Sequence, residues 1–209
     1  MHPNPVYHSK STTQNIAYAR ERAFGVLALN GQDAGPLLSH VPFVLDKDGD
    51  ALWLHLVRSN QMVRLLKAPC AAKIAVSGPD SYVSPDWYGT PDQVPTWNYV
   101  AVHLSGMLEL CPQADLRALL DRQSAYFEGR LSPKLPWTTD KMTEGVLDRM
   151  MRFIVPCRMK VEKIDGTWKL NQNKPDDVRH SAASQIARDG LGSEIEILAS
   201  LMRAADGQG

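Results

Sequence analysis

Cysteine is scarce in this sequence. There are three, Cys70, Cys111 and Cys157, far apart, odd in number and without metal-ligand spacing, which argues against a disulfide framework and for buried free thiols in a reducing compartment. Charge of one sign is also lacking. With 23 basic and 23 acidic side chains the formal net charge is zero, so there is no whole-molecule electrostatic case for nucleic acid or an anionic membrane surface. No window offers about 18 uninterrupted apolar residues, and the first residues lack a basic-then-apolar pattern, so neither a membrane span nor a secretion signal is expected and the protein reads as soluble and cytoplasmic. The six histidines are dispersed without an HxH or HExxH pair, which leaves metal binding unsupported. GxGxxG, a Gly-rich loop with GK[ST] and a hydrolytic signature are absent, as are internal repeats and low-complexity segments.

What is present is 209 residues with 44% hydrophobic side chains, enough for one main domain with a sizeable core. Residues 1–10 read as an extended arm. Ser11 or Thr12 caps a helix through Arg22, with Ile16, Ala19 and Ala23 on one face. Strands follow over Phe24 to Gly31, ending at an Asn-Gly turn, and over Gly35 to Asp46, where Pro42 marks an edge or bulge. Asp48-Gly49 signals a hairpin into Ala51 to Arg58, and Ser59 or Asn60 caps a short helix, QMVRLLK. A strand from Lys73 leads into an aromatic-polar loop, Ser77 to Tyr88. A second such loop at Val94 opens VPTWNYVAVHLSG, which feeds the central strand and continues to Leu110 through a bulge at Gly106.

Past Cys111-Pro112 the periodicity turns helical through Gly129, with Leu116, Leu119, Leu120 and Phe127 near one face. Another helix runs from Thr139 or Asp140, DKMTEGVLDRMMRFI. A final hairpin turns at Asp165-Gly166. The tail from Pro175 reads as two short amphipathic helices divided at Gly190-Leu191-Gly192, with the last few residues frayed. Many short strands with helices gathered after residues 58 and 112 give a mainly β, α+β fold: a small antiparallel barrel with peripheral helices over 1–174 and a helical extension over 175–209.

The residues offer several candidate sites. Ser39-His40 and His55 lie on strands that end in polar residues and could converge at one barrel rim, although either histidine alone also reads as a hydrogen-bonded, half-buried side chain. Arg58-Ser59-Asn60 sits where a strand gives way to a helix, which suits a phosphate or a plain helix cap. Trp97, Trp87 and Tyr82 could stack on a planar ring or belong to core or interface. Thr96 and Asn98 supply groups suited to a heterocycle edge. Trp168 to Asn173 again joins an aromatic, a cation and amides just after a strand.

Five segments, GPLLSHVPFVLD, LHLVRSN, SGPDSYVSPDWY, VPTWNYVAVHLSG and GTWKLNQNKP, resemble in order the PaiB-type family of FMN-binding negative transcriptional regulators, from the N-terminal arm to at least residue 180. The resemblance implies a split β-barrel of the flavin-reductase and pyridoxamine-oxidase kind, a homodimer with FMN in the cleft between subunits. It implies Arg58, Ser59 and Asn60 at the phosphate end, Lys73 as a further cation, and Ser39 and His40 near the ribityl chain or ring. Thr96, Trp97 and Asn98 would wall the flavin, with Lys169, Gln172 and Asn173 in the same cleft. His55 joins this set from the barrel rim. FMN would perform the redox chemistry with NAD(P)H or another electron donor, and no side chain demands a catalytic role.

Two other functions stay open. A DNA-binding regulator is what the family label implies, but SQIARDGLGSEIEILASLM would bring Glu194, Glu196 and only Arg203 toward a groove. Haem in the cleft would use His40, His55 or His103 as axial ligand.

Overall fold

The structure, a computed structural model, describes residues 1–31 and 35–205. Its strands are β1 (Phe24–Asn30), β2 (Pro36–Pro42), β3 (Val44–Leu45), β4 (Ala51–Val57), β5 (Cys70–Val83), β6 (Thr96–Leu110) and β7 (Ile154–Lys169). They form a seven-stranded sheet in the order β2-β1-β5-β6-β7-β4-β3. The helices are α1 (Thr12–Arg22), α2 (Gln61–Leu65), α3 (Leu116–Glu128), α4 (Val146–Met151), α5 (Asp176–Asp189) and α6 (Ile195–Arg203). The mainly β, α+β reading holds. Among the described residues no helix is long and apolar enough to cross a membrane.

The chain divides into two compact units. A central unit comprises Ile16–Val76 and Leu104–Ile164; a terminal unit comprises Met1–Asn15, Ser77–His103 and Asp165–Gly209.

In the central unit, β1 pairs antiparallel with β2 and β5, and β4 with β3 and β7. Period-two alternation buries Leu27 and Leu29 of β1 and Leu52, Leu54 and Leu56 of β4, and α3 adds Leu116 and Leu119. Prolines at both ends of β2 suit its place at the sheet edge, where a missing N–H costs no ladder bond. Asp48-Gly49 turns the β3–β4 hairpin as expected: Gly49 has φ +81°, and a Cβ there would lie 2.6 Å from Ile16 Cδ1.

The terminal unit holds α5 and α6 against each other through Val178, Ala182, Ala183 and Ile186 on one helix and Leu198, Ala199 and Met202 on the other, all buried. Arg179 is 2% exposed. Its Nε donates to the Met202 carbonyl at 2.8 Å and its Nη1 meets Asp176 Oδ1 at 2.8 Å. The loop between the helices lies along β5, with the Asp80 and Tyr82 N–H groups donating to the Ser193 and Leu191 carbonyls, both at 3.0 Å.

Several local expectations are corrected. The arm is not extended: Asn4 caps a 3-10 turn at Pro5–His8, and Tyr7 is buried. Most of the expected Ser77–Tyr88 loop is strand, because β5 continues to Val83 with its burial alternating for much of its length. Gly106 makes no bulge. Burial alternates without a break from Asn98 to Leu108, and the glycine instead permits close approach, since a Cβ would stand 1.9 Å from the Lys160 carbonyl oxygen.

Asp165-Gly166 is likewise no turn but lies within the continuous β7, where Gly166 leaves room for the Asn15 amide, 2.1 Å from its would-be Cβ. The expected helix from Thr139 is a 3-10 turn and the separate α4, interrupted where Gly145 takes φ +71°. Gly35 to Asp46 divides into β2 and β3 at Phe43. The last residues, expected to fray, fall partly in 206–209, which with residues 32–34 after the Asn-Gly pair lie outside the described residues.

Candidate functional site

The predicted site residues fall into two groups, one in each unit. In the central unit the cap preference at the start of α2 is realised by Asn60, whose Oδ1 accepts from the Met62 N–H at 3.0 Å. Its Nδ2 donates to Ser39 Oγ at 3.3 Å, so two motifs 21 residues apart meet. His40 is exposed and stacks on Phe24, ring centroids 6.3 Å apart at 28°.

Register then decides which neighbours His40 has. His40 is opposite Val26 and Leu38 opposite Ala28 on β1, while Ala28 is opposite Lys73 on β5. His40, Leu38 and Lys73 therefore share a sheet face with Phe24, and Ser39 points to the other face with Asn60. That shared face is open: Phe24 is 52% and Leu38 63% exposed.

Arg58 is engaged locally. Its backbone N–H donates to the Phe153 carbonyl at 2.7 Å, its Nε to the Arg152 carbonyl at 2.9 Å, and its Nη2 to Gln113 Oε1 at 2.9 Å and the Ile154 carbonyl at 3.3 Å. All these acceptors are neutral, and among the described residues no carboxylate pairs with it. Ser59 is exposed beside it. His55, opposite Pro156 on β7, has a buried Nδ1 without a hydrogen-bond partner among the described residues. Burial lowers its pKa, and the neighbouring Gln123 side chain opposes that shift.

In the terminal unit Trp97 is 44% exposed, and its Nε1 donates to Asp80 Oδ1 at 3.1 Å. Tyr82 stands edge-to-face with Trp97 at 6.3 Å and with Trp87 at 6.5 Å, forming a small aromatic platform. Thr96 Oγ1 accepts from Lys169 Nζ, uniting two more predicted residues. Burial lowers the Lys169 pKa.

Two predicted contacts are interior instead. Asn98 is fully buried, its Nδ2 toward Met202 Sδ at 3.5 Å and its Oδ1 without a partner among the described residues. Gln172 pins the turn after β7, with Oε1 accepting from the Leu170 N–H at 2.8 Å and Nε2 donating to the Trp168 carbonyl at 2.6 Å and the Val6 carbonyl at 3.2 Å. Asn173 is exposed.

Sequence reading missed Tyr7, which lies beside Lys169, and Lys174, which lies beside Tyr88 and Gln93. Lys174 lies in the GTWKLNQNKP segment and could have been singled out; Tyr7 had no signal, because its burial depends on how the arm docks. A groove of about 300 Å³ lined by Trp53, Cys111, Pro156 and α3 residues Ala118, Leu119 and Arg122 includes none of the predicted residues.

A family model described as "Putative FMN-binding domain" matches residues 1–163. Protease synthase and sporulation protein PAI 2 of Bacillus subtilis is 28% identical over 173 residues, covering 81% of this chain and 82% of the relative. The FAD and heme binding protein from Mycobacterium smegmatis superposes with a TM-score of 0.56 at 19% identity, over 88% of this chain and 80% of that one. The conserved hypothetical protein Rv2991 from Mycobacterium tuberculosis gives a TM-score of 0.56 at 19% identity, over 83% and 94%. These likenesses establish a split-barrel fold.

Proposed function

This chain belongs to the FMN-binding domain family, with FMN as its cofactor, and from that premise we propose a homodimeric flavoprotein that binds FMN on the open face of β1, β2 and β5. The observation carrying the proposed site is that face itself. Phe24, Val26, Ala28 and Leu38 give an apolar surface for a planar ring, with the His40 imidazole and the Lys73 ammonium set into it. The residues therefore fit the cofactor: an apolar platform for the isoalloxazine, and cations for the phosphate.

Arg58 and Ser59 are the proposed phosphate end, supported by a guanidinium whose acceptors are all neutral and which thus keeps its charge for an anion. Asn60 and Ser39 brace each other behind β2 and set the direction of the His40 backbone. His55, Asn98 and Gln172, tucked inside their units, act by holding neighbouring elements. In the dimer the Trp97 platform of one subunit is the candidate wall for its partner's ring. Bound FMN would supply hydride or single-electron transfer with NAD(P)H or another donor. The chain's part is to orient the ring and keep water from it.

The test is flavin titration with gel filtration. Bound-flavin absorbance on a dimer is expected, with FMN affinity falling in Arg58→Ala by about 1.5 to 3 kcal/mol through loss of a charge-assisted contact. Unchanged affinity would remove Arg58 from the site. A Soret band in the purified protein would instead favour haem. The regulatory role implied by the PaiB resemblance is addressed by duplex-DNA binding across salt, where a steep dependence would support it. The apolar face of α6 packs on α5, which supports reading these helices as packing elements.

A further inference from the structure

The turn after β7 sets Lys169 beside Tyr7 and Lys174 beside Tyr88, two tyrosines close enough to interact electrostatically. Asn171 takes φ +61°, a left-handed conformation that asparagine tolerates, while the Gln172 side chain holds the Leu170 N–H and the Trp168 carbonyl. The Lys174 N–H closes the turn on the Asn171 carbonyl at 2.9 Å. Lys169 Nζ lies 5.9 Å from the Tyr7 ring and Lys174 Nζ 5.2 Å from the Tyr88 ring.

Among the described residues their hydrogen bonds go to neutral groups. Lys169 donates to Thr96 Oγ1, and Lys174 to Gln93 Oε1 at 2.5 Å. Among the described residues neither lysine has a carboxylate partner, though both are half-buried. Two ammonium groups drawn partly out of water without a counter-ion are costly unless an anion joins them. The field is felt nearby: His2 is held below its ordinary pKa by burial first and then by Lys169.

We propose that Lys169, Lys174, Thr96 and Tyr88, walled by Tyr7 of the docked arm, form a binding site for a phosphate monoester. Each ammonium has N–H groups beyond the one already used, and the Thr96 and Tyr88 hydroxyls can donate; Tyr88 Oη already accepts from Asn171 Nδ2 at 3.3 Å. A phosphate monoester carries about −1.5 to −2 charge at pH 7 and three acceptor oxygens, which matches two lysines, whereas a carboxylate would neutralise one. The site does not depend on the FMN proposal, which places the flavin's phosphate at Arg58 and Ser59; a phosphate ester on another carrier satisfies this one.

The experiment is titration of the full-length protein with inorganic phosphate, read by calorimetry and by thermal unfolding, against chloride at matched ionic strength. Wild type should show saturable binding and a rise in Tm. Lys169→Gln should weaken phosphate binding about ten- to a hundredfold, as loss of a charge-assisted hydrogen bond does. Lys174→Gln should weaken it too, Lys169→Arg should retain it, and Tm in chloride checks that each variant folds. Competition names the carrier. Displacement of phosphate by NADPH and not NADH assigns a nucleotide phosphate, displacement by neither FMN nor NADPH assigns free phosphate, and displacement by FMN and not riboflavin assigns the flavin's phosphate here and removes it from Arg58. Phosphate no better than chloride on wild type, or undiminished binding in a folded Lys169→Gln, overturns the site. Flavin absorbance with riboflavin tests the FMN proposal separately, since a protein that takes phosphate and no flavin would defeat that proposal alone.

Discussion

At Arg58 two roles coincide in one side chain, and they can be pulled apart by measurement. Its bonds to the Arg152 and Ile154 carbonyls and to Gln113 fasten the entry to β7. Arg58→Ala should therefore lower stability by about 1 kcal/mol, a modest loss because the group is exposed, in urea unfolding without flavin. Cys157 makes a different prediction. Burial pushes its thiol from 9.0 up to about 12. The folded state then holds this proton more tightly than the unfolded chain, so stability is fully present below pH 9 and declines as pH rises toward 12. Cys157→Ala should flatten that decline, and alkylation of the folded protein should label Cys157 last. The Ser39–Asn60 contact joins two strands read as ending in polar residues at one rim, whereas Thr96 and Lys169 were set in one cleft only by the family resemblance. Asn98 and Gln172 were read at a surface and are interior, since an amide suits a buried position as well as a ligand and sequence does not distinguish the two.

Elements with one dominant signal were read well: α1, β1 and β4 from periodicity, α2 from its cap, α5 and α6 from the glycines between them. Errors gathered where glycine has two meanings. Gly166 beside Asp165 looked like a hairpin, yet its work is to admit Asn15, whose Oδ1 accepts from Trp168 Nε1 at 2.8 Å. Gly106 looked like a bulge and is a close approach to Lys160. Gly106→Ala should cost about 3 kcal/mol, since rigid backbone rather than a flexible side chain meets the new Cβ. Denaturant midpoints measure this, and a loss below 1 kcal/mol would mean that the strands separate easily. Arg179→Ala should cost about 2 to 4 kcal/mol by emptying a buried volume and freeing the Met202 carbonyl, with loss of helical circular dichroism if α6 detaches.

For the whole molecule, the motif order pointed to the family while the burial of its polar residues had to be seen in three dimensions. Trp97→Ala should reduce flavin retention and shift gel filtration toward the monomer; wild-type behaviour in both would remove the aromatic platform from the proposed interface. The unbroken alternation of β6 also has a consequence for how the chain could be edited. Adding or deleting one residue within 98–108 would exchange every side chain facing inward with one facing out, so this stretch should accept no change of length. The connection from Gly129 to Gly145 has no such register to keep and is mostly exposed, with Leu135 at 82%. A reporter peptide spliced there should leave the protein folded, whereas the same peptide placed in β6 should yield only aggregate.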